Sequence, residues 1–272
     1  MTAGLYARAP LRMHGEIPVF SAADGYTENY ASISADHLAE LERTAENPWI
    51  PEELWRESEA STLALIQRHS RPGDRILDVG VGLGRLLGYV PDRRRYGMDI
   101  SLGYLERAAA AGIEVCYARI EDMPYHADSF DIVVCTDVLE HVLDLHLCCS
   151  RILSVLRPGG TLIVRVPNRQ DLSEYLDPAY PYEFVHLRNF DAPSLQLLFG
   201  KIFGCEVLET APGAYWPFND RLRWVLPLPR FRGLMRHAML GLSRVSRGAF
   251  TALLPKLYHP EAVNIAVRKP AA

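Results

Sequence analysis

Between Arg75 and Val166, short β-branched apolar runs alternate with helical stretches, and that alternation most restricts what the chain can fold into. Arg75–Val79, Tyr96–Asp99, Ile113–Tyr117, Phe130–Cys135 and Thr161–Val166 read as strands. Helices are expected from about Gly84, over Leu102–Ala111 with Gly112 ending it, and over Leu143–Leu156, stopped by Arg157-Pro158-Gly159-Gly160. Strands joined through helices require right-handed crossovers, which produces an α/β fold with a mainly parallel sheet and helices on both faces. Further on, Ser194–Phe203 reads as helix, Cys205–Glu209 as strand and Ala262–Arg268 as the last strand. The roughly fifty residues between those two strands are too many for a hairpin loop and form an insertion.

The flanks read differently. The stretch up to about Arg56 is acidic, aromatic and irregular, and Asn47-Pro48-Trp49-Ile50-Pro51 excludes a regular helix. A helix is expected over Pro51–His69, opened by its proline. Four parts follow: residues 1–56 covering the site, 57–213 as the core, 214–260 as the insertion, and 261–272 as the last strand and tail.

A net charge of -4 argues against nucleic acid as a partner, which leaves a basic footprint. No apolar run is long enough for a transmembrane segment, and Met1–Pro10 lacks the apolar centre of a signal peptide. Cys116, Cys135, Cys148, Cys149 and Cys205 are odd in number and irregular in spacing, which excludes a disulfide framework and points to a reducing, cytoplasmic compartment. The insertion concentrates Arg221, Arg223, Arg230, Arg232, Arg236, Arg244, Arg247 and Lys256 against the single acid Asp220. Gly233–Leu253 reads as an amphipathic helix, with Met235, Met239, Leu242 and Val245 at helical spacing. A lid whose apolar face closes over the site is the favoured reading of it, against an anionic membrane surface, a homodimer interface and a solvated face.

The turn Asp78-Val79-Gly80-Val81-Gly82-Leu83-Gly84 follows the first core strand and opens a helix. Glycines without a Cβ let the backbone turn tightly and approach a ligand. Dinucleotide-binding folds use similar spacing, but two acids separate this chain from them. Asp78 stands where a pyrophosphate would be repelled, and suits an ammonium group. Asp99 ends the second strand about twenty residues on, where a carboxylate can hold two ribose hydroxyls. The structural alternatives are a helix cap and a strand-end turn.

Ile76–Gly84, Gly97–Ser101, Glu121–Pro124 with Asp128–Asp131, and Leu156–Leu162 resemble the motifs of class I S-adenosylmethionine-dependent methyltransferases. The resemblance covers roughly Glu57 to Pro167 and the final strands. It implies a Rossmann-like sheet of seven strands with an antiparallel last strand, S-adenosylmethionine as methyl donor and S-adenosylhomocysteine as product. It also implies donor contacts from Asp78, Gly80, Gly82, Gly84, Asp99, Ile100, Glu121, Asp122, Met123 and Asp137, with Asp122 on the adenine amino group and Met123 on the ring. Glu121 and Asp122 could otherwise form a solvated loop.

Ligands of open α/β sheets bind outside the carboxyl ends of strands, where Asp137–Asp144 follows the fourth strand. If a helix starts there, Asp137, Glu140 and His141 share one face and can hold a divalent cation or position a base; the alternative is a helix cap facing solvent. The trio resembles the acid-x-x-Glu-His motif of the ubiquinone-pathway O-methyltransferases of the type 11 group, some of which use magnesium (Mg2+), although Asp137 stands where that family usually has glutamate. His186, in the loop after the fifth strand, can converge on the same place. The expectation is O-methylation with His141 as general base, Glu140 and Asp137 beside it, and Asp137, Glu140, His141 and His186 as the metal set. A small-molecule or oligosaccharide acceptor is expected against Tyr30, Trp49, His186, Arg188 and Tyr215, because aromatic rings stack on sugar faces. The whole chain also resembles actinobacterial sugar O-methyltransferases of methylmannose polysaccharide synthesis. Competing readings are a quinone-like phenol or lipid acceptor at a membrane, donor binding without catalysis, and a nucleotide oxidoreductase, which Asp78 disfavours.

Overall fold

The computed structural model describes residues 4–215 and 229–271. Asp220, Arg221 and Arg223 of the insertion lie outside the described residues, as do the side chains of Arg230, Arg232 and Arg236. One sheet of nine strands organises the molecule: β1 (Arg12–His14), β2 (Ile17–Val19), β3 (Arg75–Val79), β4 (Arg94–Asp99), β5 (Glu114–Tyr117), β6 (Phe130–Thr136), β7 (Leu156–Pro167), β8 (Glu206–Pro212) and β9 (Ala262–Arg268). Their order is β1-β2-β5-β4-β3-β6-β7-β9-β8. Pairing is parallel from β2 to β7, and β9 runs antiparallel between β7 and β8, as expected for the last strand. The chain leaves β3 towards β4 and β5, then returns to build β6 and β7 on its other side. That reversal opens a crevice at the carboxyl end of β3, where ligands bind in such sheets.

The central strands are apolar on both faces because both are covered. Leu77, Val79, Val133 and Cys135 belong to one cluster with Cys148, Cys149 and Ile152 of α5 (Leu145–Val155). Ile76, Ile132 and Val134 belong to the other, with Leu65 and Ile66 of α2 (Glu52–His69) and Leu105 and Ala108 of α4 (Leu102–Ala110). All five cysteines are free and buried. Among the described residues, no helix is long and apolar enough to cross a membrane.

Several expectations need correcting. The sheet has nine strands rather than seven, because the β1–β2 hairpin adds to the β5 edge through Val19 and Tyr117. The first fifty residues are not irregular: α1 spans Gly25–Thr44, started by a capping box between Asp24 and Thr27. α1 buries Thr27, Ser34 and His37, so it carries no apolar stripe that periodicity could reveal. No helix begins at Asp137. The backbone turns there, with Asp137 at φ 55°, and α5 starts only after Asp144, whose side chain accepts from Leu147 N. β7 begins at Leu156, ahead of the expected Thr161. The stretch after Asp191 is a short α6 (Ala192–Leu195) continued by a π-helical segment, Gln196–Ile202. The single amphipathic helix is two, α7 (Pro229–Val245) and α8 (Arg247–Leu257), broken at Ser246, which caps α8. Met239 packs with Leu254 and Tyr258, whereas Val245 is 86% exposed and lies off that face.

Candidate active site

The turn after β3 lies over the end of β4, with Gly80 N and Val81 N donating to Met98 O at 2.8 and 3.1 Å. Its glycines do separate jobs. A Cβ on Gly80 would stand 2.3 Å from Val138 Cγ2, so that glycine lets the turn pack on the segment after β6. Gly84, at φ 74°, opens the short helix α3 (Arg85–Gly88), and its Cβ would stand 2.5 Å from Ile113 Cδ1. Gly82, at φ 50°, would meet nothing within 4 Å and faces open space. Gly84→Ala is therefore expected to cost about 2–4 kcal/mol, from backbone strain plus overpacking. Urea unfolding checks this, and an unmoved midpoint would contradict it.

Asp99 locks the turn to the second core strand. Its Oδ2 accepts from Gly82 N at 2.9 Å and its Oδ1 from Ser101 N at 3.0 Å. Desolvation still raises its pKa above the usual carboxylate value. Asp78 is 2% exposed, and its Oδ1 has no hydrogen-bond partner. Burial pushes its pKa up to about 8, against the pull of Arg165 and with the help of Asp99 and Asp137. An orphaned, buried acceptor among like charges fits a cationic group.

A cavity of about 1180 Å³ opens above this turn. Gly80, Gly82, Asp99, Ile100, Glu121 and Asp137 line it, and so do Tyr30, Trp49, Glu140, His141 and His186. Other expected residues do not: Asp78 lies buried behind the turn, with Val79 and Gly80 lining the cavity in its place. Gly84 is packed away, and Asp122 accepts from Ser21 Oγ at 2.7 Å while its carbonyl accepts from Arg8. Met123 packs against the core, so the acid lining this part of the cavity is Glu121, ion-paired with Arg119 at 3.2 Å. Arg188 donates to the carbonyls of Val142 and Leu143, and Tyr215 packs beside the α7–α8 cluster.

In the segment after β6, Glu140 is 1% exposed and neither carboxylate oxygen has a partner. Burial raises its pKa well above the usual range. His141 Nδ1 lies 2.9 Å from Tyr30 Oη, and the His141 and His186 rings are 4.4 Å apart between centroids. Desolvation, then the neighbouring His186, pushes the His141 pKa down to about 3, and burial lowers that of His186. His141 is thus neutral at physiological pH rather than titrating there, which weakens the expectation of a free general base. His186 Nδ1 bonds Gln170 Oε1 at 2.5 Å. With the amide so assigned, its oxygen only accepts, so Nδ1 carries the proton and Nε2 keeps a lone pair.

One donor atom each from Glu140, His141 and His186 lie within 4.8 Å of one another. An unpartnered carboxylate beside two neutral imidazoles fits a divalent cation. Two nitrogens and one carboxylate suit a first-row transition ion better than magnesium, which prefers oxygen. Asp137, expected in this set, is instead paired with Arg165.

Sequence reasoning counted Tyr26 among the N-terminal aromatic residues that set substrate choice, but missed His37 and Arg165. The Tyr26 ring is tilted against that of Tyr30 with centroids 4.9 Å apart, and His37 sits between Trp49 and Tyr104, all on or against the unforeseen α1. Arg165 left one signal, a charge inside the apolar run Thr161–Val166.

The fold is that of Rossmann-like S-adenosylmethionine-dependent methyltransferases. A solved structure of the Trm112 methyltransferase activator complex from Haloferax volcanii aligns with a TM-score of 0.60, over 91% of this chain and 98% of that one, at 18% identity. A Thermotoga maritima S-adenosylmethionine-dependent methyltransferase aligns with a TM-score of 0.55, over 88% of this chain and 99% of that one, at 20% identity. A methyltransferase domain family matches residues 77–164. The ubiquinone biosynthesis O-methyltransferase of Marinobacter nauticus is 28% identical over 70% of this chain and 90% of its own length. A protein of Mycolicibacterium smegmatis named a probable S-adenosylmethionine-dependent methyltransferase is 31% identical, over 53% of each chain. The chain is an S-adenosylmethionine-dependent methyltransferase.

Proposed function

We propose that the enzyme transfers the donor methyl group to the oxygen of a hydroxyl, and that the acceptor is a saccharide. The observation that carries this reading is one cavity lined both by the glycine turn and by Glu140, His141 and His186. At the turn, Asp99 takes the ribose hydroxyls, Glu121 serves the adenine side, Gly82 lets the donor approach the backbone, and Asp78 answers the ammonium. A sulfonium methyl is already electrophilic, so the protein's task is to align the acceptor oxygen and manage its proton.

Tyr30 orients His141, and Gln170 orients His186, so that both rings face Glu140. A divalent cation held by these three would lower the pKa of the acceptor hydroxyl. The cavity exceeds the upper range of a single small-molecule site, about 1,000 Å³, which leaves room for a donor and an acceptor together. Tyr26, Tyr30, Tyr175, Tyr180 and Tyr182 line the acceptor side, offering rings to sugar faces and hydroxyls to sugar oxygens. α1 supplies two of these rings, in keeping with an N-terminal segment that covers the site.

The relatives named ubiquinone biosynthesis O-methyltransferase favour a second reading, a quinone-like phenol. One experiment decides: labelled donor offered to oligosaccharides, phenols and lipids, with chelator, then with manganese or magnesium restored. Label on a saccharide oxygen, a loss of about tenfold or more with chelator, and better recovery with manganese are expected. Label on phenols alone replaces the acceptor, and label on no oxygen acceptor overturns O-methylation.

A further inference from the structure

Arg165 is explained neither by the turn nor by the acceptor cluster. It lies in β7 between Val164 and Val166, both fully buried, and is itself 4% exposed. A cation kept in such a place bears a desolvation cost that a hydrophobic residue would avoid. Its Nε and Nη2 donate to the Asp137 carboxylate, the latter at 2.5 Å. Its Nη1 donates to Thr62 Oγ1 at 3.1 Å, and that hydroxyl donates in turn to Asn264 Oδ1 at 2.9 Å. A guanidinium has five N–H donors. One on each Nη remains without a hydrogen-bond partner among the described residues. Arg165 lines the cavity, as do Gly80, Thr136 and Asp137.

The charges at this end are unbalanced. Asp78, Asp137, Glu140 and Glu59 lie near enough to act on Arg165, and Asp99 lies near Asp78. The other arginine lining the cavity, Arg119, is already paired with Asp24 and Glu121. The amino-acid tail of the donor carries an ammonium and a carboxylate on one carbon. Asp78 and Asp137 answer the first. Arg119 keeps as many unused N–H groups, but two carboxylates neutralise it and it lies beside Glu121. Among the described residues, Arg165 is ion-paired with Asp137 alone and adjoins Asp78, so of those lining the cavity it is the cation placed for the second, and a guanidinium fork matches a carboxylate.

We propose that Arg165 holds the carboxylate of the donor's amino-acid tail through its two unused Nη N–H groups, with Asp137 directing the ammonium to the same end. The proposal rests on the donor reading above. It makes Arg165 a specificity residue that separates S-adenosylmethionine from its decarboxylated form.

Calorimetry on the purified full chain tests it, with S-adenosylhomocysteine and its decarboxylated counterpart as probes. Wild type is expected to bind the carboxylated compound at least about tenfold tighter. Arg165→Met is expected to lose about tenfold or more for that compound, yet to bind the decarboxylated one within about threefold of wild type. Equal binding of the two by wild type overturns the proposal. So does an Arg165→Met protein that loses the same factor for both, since that marks a purely structural role through Asp137. Should Arg165→Met fail to fold in a thermal melt, Arg165→Lys, which keeps the charge but not the fork, and the wild-type ratio decide: an unchanged ratio in Arg165→Lys also overturns it. Binding of neither compound by wild type sinks the donor reading and this proposal together.

Discussion

Replacing His141 with alanine is expected to lower turnover by about a hundredfold to ten-thousandfold, while S-adenosylhomocysteine binds within about threefold of wild type. The residue belongs to the cluster with Glu140 and His186 and makes no bond to the glycine turn or Asp99, so its loss strikes acceptor chemistry and leaves the donor contacts standing. The neighbours sharpen the test. If His141 works alone as a base, His186→Ala and Glu140→Gln should be mild. If the three act as one cation-holding set, each should fall nearly as far as His141→Ala, and the losses should not add. Single-turnover rates for the three variants separate the cases. Turnover within about tenfold of wild type in His141→Ala would remove the residue from the chemistry.

Donor affinity is expected to climb as pH rises from about 6 to 8, by up to about tenfold per unit, and to level off above that. The cause is Asp78, whose carboxyl burial carries from 3.8 to about 8. Below that value it is protonated and cannot pair with an ammonium. Donor binding must then expel a proton, and raising the pH removes that cost. The same shift has the opposite sign for folding. A raised carboxyl pKa contributes stability that is full below 3.8 and lost as pH rises through about 8. Asp78→Asn should flatten the affinity profile and weaken binding at pH 8 by roughly ten- to hundredfold, the loss of one charge-assisted hydrogen bond. Calorimetry in buffers of different ionisation heat counts the proton directly. A flat wild-type profile would detach Asp78 from the donor.

The sheet core was legible because strands covered on both faces are continuous apolar runs, as Phe130–Cys135 and Ala262–Arg268 show. The glycine turn was legible because its chemistry is local. α1 was hidden because its inward face is Thr27, Ser34 and His37, and an apolar pattern is what periodicity detects. The helix expected at Asp137 failed on backbone conformation, since the left-handed turn at that residue redirects the chain. Glu140, His141 and His186 nevertheless converge. Their agreement with expectation came from the position of the strand end rather than from the assumed helical face. Gly233–Leu253 read as one helix because Met239 and Leu242 keep the spacing, while the serine that divides it is an ordinary helix residue until its cap is seen.

Asn29 of α1 donates to Phe184 O at 2.8 Å and accepts from Glu183 N at 2.9 Å, and Tyr182 Oη donates to Asp36 at 2.8 Å. These bonds tie α1 to the loop that carries His186, and both flank the same mouth. Widening that mouth means undoing the clasp, so departure of spent donor is coupled to unzipping a helix from a loop, and the pace of the catalytic cycle can be set there rather than by methyl transfer itself.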